Sequence, residues 1–98
     1  MSTATLPDEL SPAAREFAAG PHRLLIGGEP VAAADGATLT TVDPSTARPI
    51  AEFAHAGPAD ADAAVAAARA ALDGDWGALT PAARGDLIHR LAEAVEAN

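Results

Sequence analysis

Three histidines and two closely spaced pairs of aspartates stand out among the groups in this chain whose types could bind a metal or move a proton. His22, His55 and His89 lie far apart, without the short ligand spacings of a zinc site, and the chain has no Cys to complete one. Asp73 and Asp75, in DGDWG, match the opening of a calcium loop, where alternate carboxylates reach one hard cation. That loop needs Gly at its sixth position and Glu at its twelfth; here those positions hold Ala78 and Arg84. Asp60 and Asp62 have the types of a general acid and base pair. The start of a helix accounts for both, because carboxylates there meet the positive end of the dipole.

Gly27-Gly28 invites comparison with a phosphate cradle. A dinucleotide fingerprint needs G-x-G-x-x-G between strand and helix, and a P-loop needs a Lys that the chain lacks altogether. Ser45 and Thr46 carry hydroxyls, but no His or Lys base adjoins them, and turn chemistry explains their presence. The residues by themselves therefore assign no catalytic, cofactor-binding or metal-ligating position.

Composition bounds what could hold such groups in place. A chain of 98 residues allows one small domain. Apolar residues make up 49%, yet 28 of them are Ala, and Leu, Ile, Val and Phe together number only 18. The core should be thin, with marginal order in isolation. The net charge is −8, the chain has no Lys, and its six Arg are scattered, which argues against nucleic acid as a partner. No apolar run reaches the ~20 residues that span a bilayer, and the N-terminus lacks the charged and apolar regions of a signal peptide. A cytoplasmic protein is expected.

Residues 1–10 mix Ser, Thr, Pro and acids without a period and read as a mobile arm. Ser11 and Pro12 open a short helix, with Phe17 as its anchor and Gly20-Pro21 as its stop. In LLIGGEPV, residues 24–31, Gly27-Gly28 predicts a two-residue hairpin turn. Residues 38–43 and 49–54 predict two more strands, joined by the turn Asp43-Pro44-Ser45-Thr46. After Gly57-Pro58 the period becomes helical, with Ala61, Val65, Ala68 and Leu72 on one face and an end at Gly74. DGDWGAL reads as a bend. Thr80 and Pro81 then start a last helix whose stripe is Leu87, Ile88, Leu91 and Val95.

That helix reaches Asn98 with Glu93 and Glu96 in its final turn, where the dipole disfavours negative charge. The sequence therefore reads as a cut chain. The elements taken together predict an α+β segment: a short N-terminal helix, β-hairpins, then two amphipathic helices.

The succession LLIGGEPV, TLTTVDPSTARPIAEF, ADADAAVAAARAAL, Trp76 and TPAARGDLIHRLAEAVEAN resembles the N-terminal part of NAD(P)-dependent aldehyde dehydrogenases. That family typically carries an IGGEW or INGEW hairpin, an NPATG turn, a helix with AVxAAxxAF, a Trp shortly after, and a helix running from TPxxR to EAN. The resemblance covers roughly residues 22–98, leaving 1–21 as arm and short helix. Pro30 stands where the family hairpin has an aromatic, so this strand should be an edge or end early. Ala47 stands where the turn has Gly, so a positive φ there would be strained.

The resemblance implies that the segment is part of a Rossmann-like α/β cofactor-binding domain in a usually homo-oligomeric enzyme using NAD or NADP. It implies oxidation of an aldehyde to a carboxylic acid by a Cys thiolate, through a thiohemiacetal, hydride transfer and a thioester hydrolysed by water that a Glu activates. No residue of that machinery maps onto this chain, so catalytic, cofactor-binding and metal sites within it are expected to be none. Val65, Leu72, Leu87, Ile88, Leu91 and Val95 would be docking surfaces for the remainder of the enzyme. Two other readings stand beside this one: an interaction module that docks on a full-length dehydrogenase, and a remnant without function.

Overall fold

The computed structural model describes residues 6–98. Its elements are α1 (Pro12–Ala19), β1 (Leu24–Ile26), β2 (Glu29–Val31), β3 (Thr38–Val42), β4 (Pro49–Ala54), α2 (Pro58–Asp73), α3 (Asp75–Ala78) and α4 (Pro81–Glu96). They fall into two units, Met1–Ala64 and Val65–Asn98, with the boundary inside α2. The mixed α+β character follows the sequence expectation. The mobile arm expected over residues 1–10 lies, for residues 1–5, outside the described residues. Within the remainder, Arg15 Nη2 donates to the Pro7 carbonyl at 2.8 Å.

In the first unit, α1 starts as its sequence dictates. Ser11 has extended dihedrals and its hydroxyl accepts from the Ala14 amide at 3.2 Å, while Pro12 occupies the first turn. Phe17 does not anchor this helix: it is 77% exposed. The half-buried positions of α1 are Ala14 and Ala18, the helix contacts β4, and the Phe17 and His22 rings lie steeply inclined (62°) with centroids 5.4 Å apart.

The strands form two separate antiparallel pairs. In the first, Gly27 (φ 61°) and Gly28 (φ 82°) make the tight turn that needs two positive φ angles. The pair flanking such a turn, Ile26 and Glu29, is hydrogen-bonded and the next pair is not. Pro30 falls in that second pair, opposite Leu25, so its missing N–H removes nothing from the ladder. This answers how Pro is accommodated here: the strand is an edge and continues to Val31.

In the second pair, Thr41 faces Ala51 but Val42 faces Pro49, which leaves Ile50 as the extra residue of a bulge. The connection is the expected Asp43 turn. Asp43 Oδ1 accepts from the Ser45 amide at 2.8 Å and from the Ser45 hydroxyl at 2.7 Å. The turn is closed by Ala47 N–H to the Asp43 carbonyl at 2.7 Å and by Asp43 N–H to the Arg48 carbonyl at 2.9 Å. Ala47 takes φ 59°, the left-handed conformation that costs a residue with a Cβ. Beside β4, Ala54 N–H donates to the His22 carbonyl at 2.9 Å, part of a single parallel bridge between His22 and Phe53. Among the described residues of this unit Ala33 is the buried apolar one, so the core they form is as thin as the Ala-rich composition implies.

The second unit holds the rest of α2, then α3 and α4. The stretch expected as a bend contains a one-turn helix, α3, with Gly74 as its N-cap and Leu79 as its C-cap. A Cβ at Gly77 would overlap the Leu72 carbonyl oxygen, so α3 folds back on the last turn of α2 at a distance only Gly permits. Thr80 caps α4, its hydroxyl accepting from Ala83 N–H at 3.1 Å, and Arg84 Nη1 donates to the Leu79 carbonyl at 2.6 Å. At the end of α4 a side chain meets one of the last carbonyls. Asn98 Nδ2 donates to the Ala94 carbonyl at 2.8 Å, which serves an acceptor that the last turn leaves without an intrahelical partner.

Candidate functional site

Asp60 is the buried charged residue of the described chain, with 7% of its surface exposed. It sits at the third position of α2, where the helix starts because the Gly57 carbonyl accepts from Ala61 N–H at 3.1 Å. Asp60 Oδ2 turns back to accept from Gly57 N–H at 2.9 Å, the acidic half of a capping box. Its Oδ1 accepts from Ala34 N–H at 3.0 Å, in the loop between β2 and β3. The helix N-terminus accounts for only part of this residue's role. Asp62, by contrast, is exposed, so the two carboxylates do not converge as an acid and base pair would.

The other groups weighed for chemistry are likewise held apart. His22 Nε2 lies 3.1 Å from the Ala18 carbonyl, and His89 pairs along α4 with Glu93 at 3.5 Å. His55 uses its backbone N–H on the Ala37 carbonyl at 2.8 Å. Asp73 closes α2 while Asp75 opens α3. Among the described residues, no three His or acidic side chains come together. Ser45 gives its hydroxyl proton to Asp43, and this bond together with the Ser45 amide holds the Asp43 carboxyl below its ordinary pKa. Those contacts make a turn: the carboxylate beside the hydroxyl is Asp43, whose lowered pKa makes it a weak base and whose same oxygen also holds the Ser45 amide.

Two features of the described residues bear on binding a dinucleotide. Gly27 and Gly28 are both spent on a hairpin turn, where no helix N-terminus follows to receive a phosphate. At the start of α2, the Gly57 amide already faces the Asp60 carboxylate, which would repel a second anion. These residues do not fit a pyrophosphate.

What the structure does present is surface. In the first unit, an open cleft of about 420 Å³ lies against β3 and β4, lined by residues that include Ala18, His22, Thr38, Thr40 and Glu52. In the second, α4 exposes Leu87, Ile88, Leu91 and Val95, by 40%, 61%, 64% and 69%. These four share one face of the helix by their spacing. Val65 and Leu72 on α2 are also more than half exposed. A run of large apolar side chains left in water on one helix is the mark of an interaction surface. The helical spacing in the sequence already places these side chains on one face.

Known proteins match this chain over most of its length. Residues 31–98 match the aldehyde dehydrogenase family. An aldehyde dehydrogenase from Aspergillus niger is 43% identical over 76 residues, which is 78% of this chain and 15% of that protein. A 2-hydroxymuconic semialdehyde dehydrogenase from Pseudomonas putida is 44% identical over 72 residues, again 15% of its length. The NAD+ complex of aldehyde dehydrogenase from Bacillus cereus superposes with a TM-score of 0.85 at 39% identity, covering 90% of this chain and 18% of that one. The chain thus spans roughly a sixth of the relatives it matches. It belongs to the aldehyde dehydrogenase family, of which it presents an α+β N-terminal segment.

Proposed function

We propose that this chain serves as the opening segment of the cofactor-binding domain of an NAD(P)-dependent aldehyde dehydrogenase, which as a whole oxidises an aldehyde to a carboxylic acid. The observation that carries the reading is the superposition on the Bacillus cereus enzyme, at 39% identity across 90% of this chain. Alone, the segment is not catalytic: it has no Cys to act as nucleophile, and Asp60, the buried acid, is committed to backbone amides. Nucleophile, general base and nicotinamide site belong to other parts of such an enzyme.

The segment's own contribution is the packing of its helices. Burying a Leu or Val side chain contributes about 1.5–3 kcal/mol, so the four-residue stripe of α4 is a substantial source of cohesion once covered. The enzyme's remaining polypeptide is the partner, in a homo-oligomer in the cytoplasm, with neither nucleic acid nor membrane involved. In support, no described helix is long and apolar enough to cross a membrane, and the Arg residues form no stripe along the sequence.

A chimera tests this reading. The matched segment of the Bacillus cereus enzyme is replaced by this chain, and NAD+ reduction is followed with a simple aldehyde. Activity within about tenfold of the parent is expected from the chimera, with none from the 98-residue chain by itself. A chimera that folds but oxidises no aldehyde, or turnover by the isolated chain, would overturn the proposal.

A further inference from the structure

We draw no further inference here: the strongest candidate, the exposed apolar stripe of Leu87, Ile88, Leu91 and Val95 on α4, belongs to the surface already assigned to the remainder of the enzyme, and nothing in the structure shows another occupant that would cover it.

Discussion

Asp60 and Ala34 are joined by a 3.0 Å hydrogen bond from the Ala34 amide to Asp60 Oδ1, which ties the start of α2 to the loop between β2 and β3. The other carboxylate oxygen holds the Gly57 amide, so one buried side chain fixes both the helix N-terminus and its place against the hairpins. Among the described residues of this unit Ala33 is the one buried apolar residue, so such a polar clasp has an outsized share in the local order.

Replacing Asp60 by Ala removes two bonds to a carboxylate and should weaken local order by about 2 kcal/mol. Hydrogen exchange reads this directly, since opening of the loop exposes the Ala34 and Gly57 amides. Both should exchange roughly thirtyfold faster in Asp60→Ala. Asp60→Asn keeps one acceptor and should fall between the two. Unchanged exchange at Ala34 would show that the clasp holds nothing.

Ala47 offers the opposite case, a residue whose removal helps. Its φ of 59° costs about 1 kcal/mol for a residue with a Cβ, whereas Gly visits that region freely. Part of the gain is lost to the greater freedom of Gly in the unfolded chain. Ala47→Gly should raise stability by about 0.5 kcal/mol, seen as a higher urea midpoint at unchanged slope when measured in the full enzyme chimera. Ala47→Val should lower it. A destabilised Gly variant would mean that the turn gains something from the methyl group.

The Asp43 turn should loosen in acid. Its carboxyl pKa is depressed, first by the Ser45 hydroxyl and then by the Ser45 amide. A depressed folded-state pKa contributes stability that is fully present above the unfolded value of about 3.9 and is lost as pH falls through the folded value. Carbon-detected NMR titration of the Asp43 carboxyl should place its midpoint below that of the free side chain. Ser45→Ala removes the largest cause and should move the midpoint upward. A midpoint insensitive to Ser45 would sever the link between this bond and the titration.

How much of this was legible in the sequence depends on the range over which each feature is decided. Ser11, Gly27-Gly28, Asp43 and Thr80 act on residues at most three or four positions away, and their types announce the cap or turn they make. The Asp60 bond to Ala34 spans 26 positions, and nothing local tells an exposed first-turn acid from a buried one. Phe17 misleads for the same reason: its size suggests an anchor, but the positions of α1 that are half-buried are Ala14 and Ala18. The one-turn α3 hides behind Gly74 and Gly77, two poor helix formers, although Gly77 is what allows the turn to sit on the Leu72 carbonyl. The α4 stripe is plain in the sequence because helical periodicity is set by local spacing, whether or not the face is buried.

That exposed stripe gives the last prediction. Leu91 lies within the α4 stripe and is 64% exposed, so in the 98-residue chain Leu91→Ala deletes little buried contact. Its effect on helicity there should stay within about 0.5 kcal/mol, as for other exposed sites. If the stripe is covered by the remainder of the enzyme, the same change in the chimera opens a cavity and should cost about 2–5 kcal/mol. Circular dichroism on the isolated chain and urea unfolding of the chimera make the comparison. A control at Arg90, which lies off the stripe, should be near neutral in both. Equal and small effects of Leu91→Ala in the two settings would mean that α4 stays in water in the whole enzyme and that its apolar face does not hold the segment to the remainder.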